Sequence, residues 1–190
     1  MAPNIEPQFT DPAVTRAKFQ NQANDFNLNL DSYVRRGIFC RRIEYPVVSL
    51  LFTAAHLKPP AIVFAVDIDF TNYDFDPPSV KFIDPNTGET LKAGALPCGV
   101  FQIGPNGPMN LVQGMPGQDA FLCIPGIREY HQHPAHSGDS WFLYRSRGEG
   151  ALPFIIEQLY KHSVVAISGY NMQLNIAISG FQMDLGKLPR

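Results

Sequence analysis

The sequence predicts one α+β domain in which an antiparallel sheet packs with a few helices. Its 190 residues include 17 prolines and 15 glycines, a content that indicates many turns and argues against a helical bundle. Large apolar residues occupy every second position from Ile62 to Phe70, and the positions between them become acidic at Asp67 and Asp69, as expected of a strand with one buried face. One amphipathic helix pattern lies in residues 150–162.

The N-terminal residues predict a short helix outside the main domain. Asp11-Pro12 is typical of a helix start, with an aspartate cap and a first-turn proline, and the pattern continues to Gln22. The apolar face is thin, so we expect residues 1–30 to form a loosely docked arm or short helix. We expect residues 31–190 to form the single domain.

The middle of the chain is predicted to form strands. Residues 33–55 contain two apolar runs, and residues 61–73 and 80–83 follow with strand patterns that end in proline-rich or glycine-rich turns. Residues 88–119 form a long excursion of glycine, proline and small residues, with possible small strands at 100–103 and 109–112. An excursion of this length is usually functional or covers a site.

The last third combines a short strand, a helix and two terminal strands. Residues 120–123 are predicted to form a strand that brings Cys123 to a Pro-Gly turn. The helix in residues 150–162 places Leu152, Ile155, Ile156 and Leu159 on one apolar stripe. Residues 164–167 and 172–178 are predicted to be strands.

Charge and motif content exclude several classes of function. The formal net charge is −2 and the only basic runs are Arg35-Arg36 and Arg41-Arg42, so we expect no nucleic-acid partner. No apolar run is long enough for a signal peptide or a bilayer span, which predicts a cytoplasmic protein with no membrane partner. Sequence motifs for nucleotide hydrolysis, dinucleotide binding and serine hydrolysis are missing.

The three cysteines are expected to be free thiols. Cys40, Cys98 and Cys123 are odd in number, and their spacing fits no disulfide framework. Cys40 lies in an apolar strand pattern and is interpreted as a core residue. Cys98 has no titratable neighbour in sequence, which makes it a lesser candidate nucleophile than Cys123.

The chemically richest segment runs from Cys123 to His136. It contains one thiol, the Glu129 carboxylate and the three imidazoles of His131, His133 and His136. One hypothesis is nucleophilic catalysis by Cys123 assisted by one of these histidines, because an imidazole near a thiol lowers its pKa. A plain alternative is a polar loop that follows a buried cysteine.

A metal site is the second chemical hypothesis for this segment. Thiolate, imidazole and carboxylate groups are the ligands that zinc prefers, and close spacing favours their assembly. The candidate ligand set is Cys123, Glu129, His131 and His136. Paired CxxC or HxxxH spacing is missing from it.

The residues from Phe70 to Phe82 carry a family resemblance. They read Phe-Thr-Asn-Tyr-Asp-Phe-Asp-Pro-Pro-Ser-Val-Lys-Phe, which resembles the third-strand region of ubiquitin-conjugating (E2, or UBC) enzymes. The later order of a strand with Cys123, then Trp141, then a helix is also similar to that family. The resemblance covers roughly residues 33–165. It implies an E2 (UBC)-like antiparallel sheet with a long loop excursion before the active-site cysteine.

A second resemblance concerns the cysteine segment itself. Cys123, Glu129, His131 and His136 look like the Cys-Glu-His-His signature of a bacterial family described as predicted metal-binding. That family is associated with ubiquitin-like conjugation operons, some of them antiphage defence systems. The chain departs from E2 enzymes, which usually carry His-Pro-Asn before the cysteine. Here Asp84-Pro85-Asn86 is the similar tripeptide, and it lies nearer the Pro-Pro pair than the cysteine.

Together the resemblances imply an E2-like enzyme that carries a ubiquitin-like protein as a thioester on Cys123 and transfers it to a target amine. The expected partners are an E1-like activating enzyme, the ubiquitin-like protein and a protein substrate. Transfer would require no cofactor, and zinc is a possible ligand. The alternatives are a zinc-binding accessory protein and a catalytically inactive E2-like binding module of the same pathway.

Overall fold

The computed structural model describes residues 8–172, and they form the α+β fold that the sequence predicts. Its helices are α1 (Pro12–Leu28), α2 (Leu30–Arg35), α3 (Arg128–Gln132) and α4 (Leu152–His162). Its strands are β1 (Ile38–Glu44), β2 (Val47–Ala54), β3 (Ala61–Asp69), β4 (Ser79–Ile83), β5 (Phe101–Gly104), β6 (Gly107–Asn110), β7 (Val112–Gln113) and β8 (Phe121–Leu122). Among residues 8–172, no helix is both long and apolar enough to cross a membrane.

Six strands form one antiparallel sheet in the order β1-β2-β3-β4-β8-β7. The first four strands are a meander, in which each pairs with the next along the chain. The last two are only two residues long, and β8 pairs with β4 at Lys81 and Phe121. Strands β5 and β6 form a separate hairpin within the 88–119 excursion. The cysteine therefore follows a short strand beside the centre of the sheet.

Helix α4 covers the sheet with the apolar stripe that its sequence predicts. Leu152, Ile155, Ile156 and Leu159 are all fully buried. They meet a core that includes Phe52, Phe64 and Phe82 from three neighbouring strands. Burying a side chain of this size contributes roughly 1.5–3 kcal/mol, so the stripe accounts for the docking of α4.

Helix α1 is longer and better docked than the sequence suggests. Its N-terminus is as predicted, with the Asp11 side chain accepting a hydrogen bond from the Ala13 amide at 2.8 Å. The helix continues to Leu28, beyond the predicted end at Gln22. Ala23 and Phe26 in this extension are buried, and they complete the apolar face that looked thin in the shorter helix.

Two other segments differ from the predicted strands. Residues 33–35 belong to α2, where Tyr33 is buried and stacks on Phe26 with ring centroids 4.9 Å apart. Val164–Ala166 form a 3₁₀ helix, because buried Val164 continues the packing of α4 after its last turn. The strand predicted at 172–178 lies outside the described residues apart from Met172.

Candidate functional site

Cys123 is anchored by a ladder of backbone hydrogen bonds. Its amide donates to the Leu111 carbonyl, and the Leu111 amide donates to the Val100 carbonyl, both at 2.7 Å. Leu111 and Val100 are buried. The excursion therefore supplies the neighbouring backbone that fixes the cysteine, because Leu111 directly follows β6 and Val100 directly precedes β5.

The turn after Cys123 leads into α3 and ties this helix to the Pro-Pro segment. Gly126 has a φ of +90°, a conformation that glycine adopts without strain. Arg128 is 3% exposed, and its side chain donates to the Pro77 carbonyl at 3.1 Å and the Thr71 carbonyl at 2.6 Å. Its amide donates to the Pro78 carbonyl at 2.9 Å. No local sequence pattern indicates this role for Arg128.

His136 is the histidine that reaches the cysteine. Its Nε2 lies 3.4 Å from the Cys123 Sγ, within hydrogen-bond range for sulfur. On the other side of the ring, Nδ1 lies 3.7 Å from Asp139 Oδ2. The three side chains form a line of thiol, imidazole and carboxylate. This is the arrangement that lets a histidine act as a general base toward a nucleophile.

Tyr130 completes this group. Its ring stacks on the His136 ring with centroids 3.8 Å apart and planes 22° apart, and its hydroxyl donates to Asp139 Oδ2 at 2.7 Å. Burial, together with this hydrogen bond, raises the pKa of Tyr130. The hydroxyl is therefore a hydrogen-bond donor at neutral pH.

The Cys123 thiol differs in one respect from the sequence-based expectation. Burial raises its pKa, whereas a neighbouring imidazole was expected to lower it. The residue is 9% exposed, and loss of water disfavours the charged thiolate. Near neutral pH burial therefore favours the protonated thiol, and the His136 imidazole is the neighbouring group placed to accept its proton.

His131 has a structural role in this geometry. Its Nδ1 is 2.7 Å from the Asp139 carbonyl and its Nε2 accepts a hydrogen bond from the Gly126 amide at 3.3 Å. Because a carbonyl only accepts, Nδ1 carries the proton. Both nitrogens are thus engaged with backbone, and neither is left in this tautomer for the thiol or for a metal.

His133 also makes a local hydrogen bond to the backbone. Its Nδ1 accepts a hydrogen bond from the Ala135 amide at 3.2 Å and caps the 3₁₀ helix Pro134–His136. Its ring centroid lies 5.8 Å from that of His136. Of the three predicted histidines, the described hydrogen bonds join only His136 to Cys123.

Glu129 is directed toward β4. Its carboxylate accepts a short hydrogen bond from the Ser79 hydroxyl and another at 3.4 Å from the Val80 amide. Burial raises its pKa, although these hydrogen bonds oppose the shift.

The structure does not assemble the predicted metal ligands Cys123, Glu129, His131 and His136. Within residues 8–172, no group of three or more His, Cys, Asp and Glu side chains is placed to hold a metal ion. The reason is local: hydrogen bonds to β4 hold the Glu129 carboxylate, and backbone groups occupy both nitrogens of His131.

The other two cysteines are partly buried and pack against the hydrophobic core. Burial raises the pKa of Cys98 to about 11 and also raises that of Cys40. Cys98 lines a cavity of mainly apolar and small residues that includes Leu57, Val63 and Ile167. Among the hydrogen bonds of residues 8–172, Cys123 is the cysteine with an imidazole partner.

Asp139 and Tyr130 are the site residues that sequence analysis did not assign a role. The available signal was the spacing of His136 and Asp139, three residues apart, which brings their side chains together in a tight turn. Tyr130 gave no signal, because its contact with both residues depends on how α3 meets the following turns.

Fold and site together define an α+β protein that presents a cysteine–histidine pair beside its antiparallel sheet. A family model described as Y4jH-like, of the Y4jH family, matches residues 10–167. The protein named Uncharacterized protein y4jH from Sinorhizobium fredii (strain NBRC 101917 / NGR234) is 34% identical over 202 aligned residues, covering 97% of this chain and 98% of that protein. The chain belongs to the Y4jH family.

Proposed function

We propose that this protein is an E2-like acyl carrier, which holds a ubiquitin-like protein as a thioester on Cys123 and transfers it to a target amine. The observation that carries the proposal is the 3.4 Å separation of Cys123 Sγ and His136 Nε2. The likeness of the Pro-Pro segment and of the strand–cysteine–tryptophan–helix order to E2 enzymes supports it. A bacterial antiphage pathway is the context that the Cys-Glu-His-His likeness suggests.

The architecture supports this choice in two ways. An antiparallel sheet and a long excursion precede the cysteine, as the E2 resemblance implies. The Trp141 Nε1 donates to the Asp74 carbonyl at 3.1 Å, so the segment after the cysteine is tied to the loop before the Pro-Pro pair. Both segments that carry the resemblance thus meet near the site.

In the first step Cys123 Sγ attacks the carbonyl carbon of the thioester on the E1-like enzyme. The thiol proton passes to His136 Nε2, the bond from the carbonyl carbon to the E1 sulfur breaks, and the departing thiolate takes up a proton. In the second step an amine attacks the new thioester. The amine loses a proton to the histidine, and the Cys123 sulfur leaves as thiolate and is reprotonated.

A loading assay tests the proposal. The purified protein is mixed with a candidate E1-like enzyme and a ubiquitin-like protein from the same genome, with Mg-ATP, and analysed on non-reducing gels. We expect an adduct that dithiothreitol removes. Cys123→Ser should form an ester that resists dithiothreitol or no adduct, and Cys123→Ala should form none. Cys98→Ser is the matched control and should load normally.

Two outcomes would overturn the proposal. If an adduct still forms in Cys123→Ala and its attachment maps to Cys98, the nucleophile would be Cys98, which lies in the 88–119 excursion. An E1-like enzyme that forms its own thioester but never loads this protein would favour the inactive E2-like binding module instead.

A further inference from the structure

We infer that Asp139 and Tyr130 are positioning residues, which hold the His136 imidazole in the orientation and tautomer that accept the Cys123 proton. This inference rests on the proposed function, since it assigns how the same thiol is activated. It assigns a role to two residues that neither family signature names.

Asp139 is fixed at three points. Its amide donates to the His136 carbonyl at 3.0 Å, which closes the turn between the two residues. Its own carbonyl accepts from His131 Nδ1 at 2.7 Å, and its Oδ2 accepts from the Tyr130 hydroxyl at 2.7 Å. A carboxylate held at backbone and side chain keeps its place beside the imidazole with little loss of side-chain freedom during the reaction.

Tyr130 acts on the histidine twice. Its ring forms a platform for the His136 ring at a centroid distance of 3.8 Å, and its hydroxyl holds the carboxylate on the far side of that ring. Tyr130 is 8% exposed, so packing fixes the platform. The roles of the aromatic ring and the hydroxyl can be tested separately, because Tyr130→Phe keeps the ring and removes the hydroxyl.

The carboxylate selects the useful tautomer of His136. Asp139 Oδ2 lies 3.7 Å from Nδ1, which is longer than a hydrogen bond, but a nearby negative charge still favours a proton on that nitrogen. Nε2 then presents its lone pair to the thiol. The described titratable groups around the ring are Cys123, Tyr130, His133 and Asp139.

Alkylation of Cys123 tests the inference without any partner protein. The full chain is treated with iodoacetamide at neutral pH, and the rate at Cys123 is followed by peptide mass spectrometry. We expect His136→Ala to slow the reaction about tenfold or more. Asp139→Asn and Tyr130→Phe should each slow it about threefold to tenfold. Asp119→Asn, an exposed aspartate paired with Lys92, is the matched control and should react at the parental rate.

Double variants separate positioning from a general effect on structure. If Asp139 acts through His136, Asp139→Asn should have little further effect once His136 is alanine. A purely structural effect would add to that of His136→Ala and would overturn the inference. Thermal unfolding of each variant identifies those that fail to fold, and Tyr130→Phe, which keeps the buried ring, serves if Asp139→Asn does not fold.

Nitrogen-15 NMR gives an independent readout. Long-range proton–nitrogen spectra should show His136 protonated on Nδ1 in the parent and redistributed toward Nε2 in Asp139→Asn. An unchanged tautomer would contradict the inference. Neither measurement involves an E1-like enzyme. If the alkylation rates and the His136 tautomer are as expected but the loading assay fails, the result would count against the transfer reaction alone.

Discussion

Tyr130 and His136 stack almost face to face, with ring centroids 3.8 Å apart, although they lie on opposite sides of a bend in the chain. Tyr130 belongs to α3 and His136 ends the following 3₁₀ helix. The stack thus fixes the position of the His136 imidazole relative to the helix that follows Cys123. Four predictions test how this part of the molecule is built.

The first prediction concerns the pH dependence of Cys123 reactivity. Because burial raises the thiol pKa, the thiolate fraction is small at neutral pH and grows as the pH rises toward the folded-state value. We expect the iodoacetamide rate at Cys123 to increase steadily between about pH 7 and 9. Peptide mass spectrometry measures the rate. A plateau already present at pH 7 would show a lowered pKa instead.

Cys98 provides the comparison in the same samples. Its pKa is about 11 through burial, and the described hydrogen bonds give it no imidazole partner. Cys98 should therefore react more slowly than Cys123 throughout the range, and faster labelling of Cys98 would contradict the ranking of the two thiols.

The second prediction separates two neighbouring histidines. His131→Ala removes the partners of the Gly126 amide and the Asp139 carbonyl, and should lower the free energy of unfolding by about 1–3 kcal/mol. His133→Ala removes one exposed cap of a single 3₁₀ turn and should cost about 1 kcal/mol or less. Urea denaturation measures both, and equal losses would contradict the structural role of His131.

The third prediction concerns the buried carboxyl group of Glu129. Glu129→Gln retains an acceptor for the Ser79 hydroxyl and should change stability at neutral pH by less than about 1 kcal/mol. Glu129→Ala leaves the hydroxyl without this partner and should cost about 1–3 kcal/mol. Neither change should greatly alter the alkylation rate of Cys123. A large drop in that rate in Glu129→Gln would contradict this expectation and would show that the Glu129 charge affects the thiol.

The same residue sets a pH trend in stability. Its folded pKa is raised above the ordinary value of 4.5, so the folded state binds more protons than the unfolded state between the two values. The free energy of unfolding should therefore fall as the pH rises above about 4.5 through that interval. This part of the trend should be missing in Glu129→Gln.

The fourth prediction concerns the turn after Cys123. Gly126 has a φ of +90°, and a Cβ there would collide with the Gly150 backbone. Gly126→Ala should therefore destabilise the protein by at least about 2 kcal/mol. Gly138, with a φ of +108° and open space around its α-carbon, is the control. Gly138→Ala should cost only the backbone strain, about 1–2 kcal/mol.

Local patterns in the sequence predicted most of the fold. The stripe of α4, the cap at Asp11 and the strand pattern of β3 each depend on residues near one another in the chain. The burial of β3 departs from strict alternation, because Ile62 is exposed and residues 63–66 are all buried. The failures came where long-range packing decides the local structure. Val164 is apolar and β-branched, as in a strand, but it is buried as the continuation of α4.

The site was predicted in part for the same reason. The pairing of Cys123 with a histidine followed from the density of donors in one segment, but the identity of that histidine did not. His131, His133 and His136 are alike in sequence, and the backbone groups near each ring decide which one faces the thiol. Arg128 and Tyr130 act through distant carbonyls and a stacked ring, which short-range spacing does not reveal.

The hydrogen bond from the Cys123 amide to the Leu111 carbonyl changes how a shortened version of this protein should be designed. Residues 88–119 look like an insertion that could be trimmed, yet β8 has only two residues and pairs with β7 from that same stretch. Removing the stretch would leave Cys123 at the end of a strand that pairs only with β4 at one position. A minimal version of the protein should therefore keep Leu111 and β7 and lose only the tip of the β5-β6 hairpin.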